Sequence, residues 1–263
     1  MKVLDGRELA GFVKERQAHM VSGLKAEGKT PKLVIIRDSE NPVIMKYVGL
    51  KKQYGEDIGV EVSDVFAEDL DALKKAVLDA NNDAEVSGII VQLPLKDSSW
   101  TDEIVTLIDP EKDVDGLSES GEFDSATATA INWLLSGHGI ELSDKKIAIV
   151  GRGRLVGKPL EKMWLNSGLD VTTFHRGSDF SLLKDFDVIV TATGNPHLIS
   201  SEMIRSGAVV VDAGTASEDG VIVGDINDEI RGRSDLLALT PKIGGVGPLT
   251  VTVLFENVIR ATK

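Results

Sequence analysis

The sequence predicts an α/β protein of two domains, and three observations carry that prediction. Short β-branched runs bounded by Gly, Asn or Asp alternate with longer helical stretches, the pattern of buried parallel strands joined by helices. The 263 residues suffice for two compact units, and 42% hydrophobic with 27% charged residues is the balance of a folded globular chain. Finally, a strand ending at Val150 runs into Gly151-Arg152-Gly153 and then a helix, as at the nucleotide turn of a doubly wound sheet.

Taken in order, the chain opens with a helix over about Gly6–Glu27, closed by the turn signals of Gly28–Pro31. A strand, Lys32–Ile36, leads through Ser39–Pro42 to a helix over Pro42–Ile58 and a strand over Glu61–Phe66. A helix at Leu70–Ala80 precedes the strand Gly88–Gln92, which Leu93–Leu95 terminates. Asp109-Pro110-Glu111-Lys112-Asp113 breaks the pattern, and a helix over about Thr127–Leu135 follows. The second series of strands is Lys146–Val150, Asp170–His175, Val188–Ala192 and Ala208–Asp212. A last apolar helix, about Leu249–Ala261, follows Gly-Gly-Val-Gly-Pro and is expected to fold back on the first domain. The domain boundary is expected near Asp115–Ala126; neither an internal repeat nor a low-complexity linker is present.

Charge and composition exclude several functions. Twenty-nine basic against forty-two acidic residues give a net charge of −13, which repels phosphate backbones and disfavours general nucleic-acid binding. A local basic pocket for one small anion remains compatible with that balance. Zero cysteines remove disulfides, thiolate nucleophiles and cysteine zinc sites. The four histidines, His19, His138, His175 and His197, have no metal-ligand spacing. With no apolar signal core and no run near the ~18 residues of a membrane span, a cytoplasmic protein without membrane contact is expected.

Two groups of residues point to chemistry. Gly151 and Gly153 let the backbone turn sharply and approach a phosphate, whose charge the following helix N-terminus favours. The spacing is G-x-G-x-x-x-G, one residue longer than the usual fingerprint, and a turn needed only for packing is the alternative. The next strand ends Phe174-His175-Arg176 with no acid for an adenosine ribose, so Arg176 and Arg152 are expected to meet a 2′-phosphate, favouring NADP over NAD. The other group is Tyr47 and Lys51, four apart on one helix face. A ring there can stack on a flat heterocycle, and a lysine partly withdrawn from water can move protons near neutrality. Gln92 ends a buried strand where α/β sheets place ligands, and Asp115 lies in an acid-rich turn. Gly244, Gly245 and Gly247 precede the last helix, a composition suited to close approach of backbone and ligand or to a plain loop-to-helix turn.

With these motifs the chain resembles the methylenetetrahydrofolate dehydrogenase/methenyltetrahydrofolate cyclohydrolase family. The matching pieces are Tyr47-Val48-x-x-Lys51, Gly88-Ile89-Ile90-Val91-Gln92-Leu93-Pro94-Leu95 and Lys112-Asp113-Val114-Asp115-Gly116. They continue in Gly151-Arg152-x-x-x-Val156-Gly157-x-Pro159, Gly224-Asp225 and Thr240-Pro241-x-x-Gly244-Gly245-Val246-Gly247-Pro248, all in family order. The resemblance implies a folate-binding catalytic domain over 1–120, with helix 249–263 packing back on it. It also implies a Rossmann-like NADP domain over 121–248, with the active site in the cleft between the two. Lys51 would be the catalytic lysine, Tyr47 would stack on the folate, Gln92 would hold or tune Lys51, and Asp115 would bind the pterin. Gly151, Arg152, Gly153 and Thr215 would line the NADP site, and Gly244 and Gly247 would lie against substrate. Family members generally act as homodimers on tetrahydrofolate derivatives in one-carbon metabolism, which feeds purine biosynthesis.

The chain departs from the family pattern at several points. Ile44 stands where a serine is usual, and Ser125-Ala126-Thr127-Ala128 replaces Pro-Cys-Thr-Pro. Lys242-Ile243 replaces Val-Pro, while Arg176 and Gly153 each stand for a serine. Ile44, Ala126, Ala128, Lys242 and Ile243 are expected on the folate side, where they bear on the ratio of the two activities. Rival readings are a dehydrogenase with weak or absent cyclohydrolase and a non-catalytic folate- or nucleotide-binding paralogue. A shikimate-type dehydrogenase shares the architecture but lacks the set Tyr47, Lys51, Gln92 and Asp115.

Overall fold

The computed structural model describes residues 1–218 and 221–263. The chain begins with β1 (Lys2–Val3) and α1 (Arg7–Ala26), then β2 (Lys32–Arg37), α2 (Pro42–Ile58), β3 (Glu61–Phe66) and α3 (Leu70–Asn82). After β4 (Gly88–Val91) come α4 (Thr101–Thr106) and α5 (Ala126–Gly137). The second strand series is β5 (Lys146–Val150), α6 (Gly157–Asn166), β6 (Asp170–Phe174), β7 (Val188–Thr191) and β8 (Val209–Asp212). A hairpin of β9 (Ala216–Glu218) and β10 (Val221–Val223), then β11 (Ala238–Leu239) and α7 (Val246–Ala261), completes the chain.

Two compact units divide it. One comprises Gly11–Ala126 and Val251–Lys263. Its sheet has the order β3-β2-β4, all parallel, so the strand direction of travel reverses at β2 and leaves a switch point between the ends of β2 and β4. Helix boundaries follow local chemistry. The Asn41 side chain caps α2 by accepting the Val43 N–H at 2.9 Å, Pro42 starts the helix, and Gly59, at φ 82°, ends it. One face of α2, with Ile44, Val48, Gly55 and Ile58, is buried. Leu73, Val77 and Ala80 of α3 pack with Ile36, Ile89 and Val91 in the sheet's core.

The other unit comprises Met1–Ala10 and Thr127–Thr250. Its parallel six-stranded sheet runs β1-β11-β8-β7-β5-β6. Apart from the added β1, that is the 2-1-3-4-5 order of a doubly wound sheet, whose switch point lies at the end of its first strand, here β5. Ala148, Val150, Ile189 and Val210 form its buried apolar centre. Among the described residues no helix is long and apolar enough to cross a membrane.

The expected domain limits, 1–120 with 249–263 against 121–248, shift in one informative way. Residues 1–10, expected with the first domain, group with the second sheet, because Lys2 and Val3 pair in parallel with Ala238 and Leu239. A two-residue strand carries no periodicity for a sequence reading to detect. The other limits move by six residues or fewer, to Ala126/Thr127 and Thr250/Val251.

Candidate functional site

At the switch point of the smaller sheet, three sequence-selected side chains form one polar group. The Gln92 backbone N–H donates to Ile36 O at 2.8 Å, which carries the residue just beyond β4 and against the end of β2. Helix α2, the crossover from β2, brings Lys51 over this point, and Lys51 Nζ donates to Gln92 Oε1 at 2.6 Å. Gln92 Nε2 donates back to Leu93 O at 3.1 Å, so the amide has one orientation and turns its acceptor to the lysine. Burial lowers the Lys51 pKa, opposed in part by the Asp115 charge. One turn earlier on the same face lies Tyr47, half-buried, its phenol pushed up by burial.

Asp115 completes the group from the turn that follows α4. Burial pushes its carboxyl up to about 6, with Lys51 lowering and Asp113 raising it. Its carbonyl accepts the Ala126 N–H at 3.1 Å. Val114 beside it is fully buried over Gly88, where a Cβ would fall 2.7 Å from Val114 Cγ1. A lysine of lowered pKa facing a carboxyl of raised pKa is an acid–base pair whose proton affinities have been drawn together. A surface depression lined by Lys32, Glu61 and Ser87 lies at the opposite, amino-terminal ends of these strands, away from the group.

The second sheet's switch point is built from backbone. Gly151 has φ +113°, and a Cβ there would fall 2.4 Å from Ala192 O beyond β7. Gly157, the first residue of α6, has its hydrogen where a Cβ would fall 2.0 Å from Gly151 O, so helix and turn touch main chain to main chain. No side chain caps α6. Gly153 faces open space, so neither its conformation nor its surroundings demand glycine. The Gly151 N–H donates to Phe174 O at 2.8 Å, which sets His175 and the exposed Arg176 beside the turn. Arg152 pairs with Glu161 of α6 at 3.5 Å, so an anion shared by the two arginines competes with that carboxylate. Thr215 is exposed beyond β8, and the Gly194 turn after β7 lies near its carbonyl, 3.9 Å from a Cβ built on Gly194.

Gly244 and Gly247 belong to this second unit, and they differ. Gly244 has φ +95° and a Cβ there would meet Arg7 Nε at 2.7 Å, whereas Gly247 is exposed with open space around it. The Gly6 N–H donates to Gly244 O at 2.8 Å, and a Cβ on Gly6 would fall 2.2 Å from Gly245 O. Gly6 escaped the sequence reading, since a glycine before a helix looks like an ordinary start. Asp212 escaped it too, and Asp225 entered only as part of a motif without a role. Asp212 accepts from Thr191 Oγ1, the backbone N–H of Gly214 and Asp225, and Arg231; buried Asp225 accepts the Thr193 N–H at 2.6 Å. Together they tie the ends of β7 and β8, and only the Gly224-Asp225 motif hinted at this.

The departures from the family pattern divide by exposure. Ile44, Ala126 and Ala128 are buried, whereas Lys242 pairs with Asp228 at 3.1 Å and Ile243 is 69% exposed.

Comparison with known proteins covers both units. Residues 4–115 match the family description "Tetrahydrofolate dehydrogenase/cyclohydrolase, catalytic domain", and residues 125–263 match its "NAD(P)-binding domain". The chain is 35% identical to the bifunctional protein FolD of Lactobacillus acidophilus over 277 aligned positions, covering 100% of this chain and 97% of that relative. Among solved structures, the FolD methylenetetrahydrofolate dehydrogenase/cyclohydrolase of Campylobacter jejuni superposes with a TM-score of 0.91 at 34% identity, over 99% of this chain and 98% of the other. The Trypanosoma brucei methylenetetrahydrofolate dehydrogenase-cyclohydrolase, solved with NADP and an inhibitor, gives 0.90 at 29% identity over 98% and 96%.

Proposed function

The chain belongs to the tetrahydrofolate dehydrogenase/cyclohydrolase family, and from that membership we infer its two reactions. It oxidises 5,10-methylene-tetrahydrofolate with NADP, and it hydrolyses the resulting 5,10-methenyl cation to 10-formyl-tetrahydrofolate. The single observation that supports the second step best is the Lys51–Gln92 hydrogen bond of 2.6 Å at a switch point, on a lysine whose pKa burial has lowered.

The residues at the second switch point fit NADP. Gly151 gives a backbone that turns at positive φ beside an α6 N-terminus without a side-chain cap, which suits a diphosphate. The end of β6 presents Arg176 and no acid, which suits a 2′-phosphate and not a bare ribose diol. NADP supplies the hydride acceptor for the oxidation. Arg152, once released from Glu161, and the Thr215 segment complete the binding surface.

The folate side is the work of Tyr47, Lys51, Gln92 and Asp115. Tyr47 stacks on the flat ring system and Asp115 accepts its N–H groups. Hydrolysis adds water to the bridging carbon and releases one proton. Lys51, in its neutral form, takes that proton, while Gln92 holds Nζ in place and favours the lysine rotamer that reaches the carbon. Oxidation depends on positioning and needs no proton acceptor, so one pocket serves both steps while the carbon stays in place. Gly244 and Gly247 contribute backbone to the substrate. The family resemblance supports a cytoplasmic homodimer that supplies formyl groups to purine biosynthesis.

The test incubates the protein with methylene-tetrahydrofolate and NADP or NAD, following nicotinamide reduction and methenyl absorbance together. Reduction with NADP preferred and methenyl passing on to 10-formyl product is expected. Absence of reduction with either nucleotide would overturn the reading.

A further inference from the structure

The turn that carries Asp115 is wound around a second carboxylate that has no place in the reaction as described. Asp113 is fully buried, and its Oδ1 accepts the Gly116 N–H at 3.1 Å while Oδ2 accepts the Ser118 N–H at 2.7 Å. The Leu117 N–H also turns toward it. The Asp113 main chain is anchored independently, through a parallel bridge to Ile89 of β4 and its own N–H to Asp109 O at 3.0 Å. Gly116, at φ +66°, allows the reversal, and a Cβ there would strike Phe123 O at 2.6 Å. Three successive N–H groups after Asp115 therefore converge on one buried carboxylate, and the direction of Asp115 is set by that wrapping.

Burying a carboxylate costs several times what an ordinary turn needs, since Asn or Ser side chains organise turns without a charge. The charge itself is what such a turn would not require. We propose that Asp113 is a positioning residue for Asp115: its buried carboxylate gathers the N–H groups that follow Asp115 and so fixes the turn that aims Asp115. This rests on Asp115 being the folate-side carboxyl.

The charged groups acting on Asp115 are Lys51 of α2, which favours its ionised form, and Asp113, which opposes it. Removing the Asp113 charge leaves Lys51 alone. Asp115 should then ionise at lower pH, and the lysine should hold its own proton more tightly, because its partner is charged over a wider range.

The experiment compares wild type with Asp113→Asn, which keeps an acceptor for the N–H groups and loses the charge. The Asp115 carboxyl carbon is followed by NMR titration and assigned by its loss in Asp115→Asn. It is expected to titrate at about 6 in the wild type and at least half a unit lower, roughly, in Asp113→Asn. The acid limb of the cyclohydrolase pH profile, set by the proton on Lys51, should move the opposite way, to higher pH, with NADP affinity unchanged. A folded Asp113→Asn protein with Asp115 titrating as in wild type would overturn the proposal. The NMR readout does not require turnover, so a wild type that lacks cyclohydrolase would refute the proposed activity and leave this test standing. If Asp113→Asn fails to fold, Gly121→Ala serves: its methyl would lie 3.1 Å from Asp113 Oδ2, its nearest neighbour, and crowd that carboxylate. A cyclohydrolase kcat lowered by about threefold or more at unchanged NADP affinity is expected. An unchanged kcat and an unchanged Asp115 titration in that variant would overturn the proposal.

Discussion

Both sheets of the molecule place their candidate residues at the same topological point, and they furnish it in opposite ways. At the end of β2 and β4, Lys51, Gln92 and Asp115 are partly or wholly withdrawn from water, joined by a short hydrogen bond, and shifted in proton affinity toward one another. At the end of β5, glycine backbone does the work and the charged groups, Arg152 and Arg176, stay exposed. On the function proposed above, the contrast follows from two tasks. Moving a proton near neutrality requires side chains whose charged forms have been made costly by burial. Holding a phosphate that arrives already charged requires N–H groups at close approach and arginines that keep their charge.

Several substitutions would break or sharpen that contrast. On the nucleotide side the largest effect is expected for Gly151→Ala, which combines a φ of +113° with a Cβ 2.4 Å from Ala192 O. Strain of about 1–3 kcal/mol, plus the lost backbone approach, should weaken NADP binding roughly tenfold to a hundredfold. Titration calorimetry checks this, and cyclohydrolase activity on supplied methenyl-tetrahydrofolate should persist. Arg176→Ala comes next, raising the KM for NADP about tenfold, the worth of one charge-assisted contact, and leaving the KM for NAD unchanged. Equal effects on the two nucleotides would remove Arg176 from the phosphate site. A smaller change is expected for Gly153→Ser, which enters open space; its NADP affinity should stay within about threefold of wild type.

The least effect concerns stability, and its sign comes from the carboxyl. The Asp115 pKa is raised from 3.8 to about 6, so across that range the folded chain binds a proton that the unfolded chain releases. Stability contributed by the protonated group is therefore lost as pH rises through about 6. Asp115→Asn should raise the melting temperature by a few degrees relative to wild type above pH 6 and by less near pH 4, as calorimetric scans would show. Arg176→Ala, on the exposed side of the comparison, should leave the melting temperature unchanged at both pH values.

What sequence reading captured depended on how local each signal was. Helix α2 was expected over Pro42–Ile58 and is found there, because Asn41, Pro42 and Gly59 mark its ends in the chain itself. Strand β3 likewise coincides with Glu61–Phe66. Strands β1 and β11 have two residues each, and α4 has six, too few for a period to show. The site divides in the same manner. Tyr47 and Lys51 share a face by spacing, and Gln92 ends a strand, so residue type and position suffice. Asp113, Asp225 and Gly6 act through main-chain groups, some distant in sequence; motifs mark Asp113 and Asp225 by position, but their hydrogen-bond partners show only in the fold. The Arg152–Glu161 pair was missed for a related reason: a glutamate nine positions along becomes a competitor only after the glycine turn folds α6 back beside it.

The most direct test of the division between the two switch points is a single progress curve with Lys51→Met, supplied with methylene-tetrahydrofolate and NADP. If proton transfer belongs to the Lys51–Gln92 group and cofactor binding to the glycine turn, NADPH forms with the wild-type KM for NADP while hydrolysis falls by roughly a hundredfold or more. Methenyl-tetrahydrofolate then accumulates in step with NADPH. Formation of 10-formyl-tetrahydrofolate at the wild-type rate would contradict the assignment.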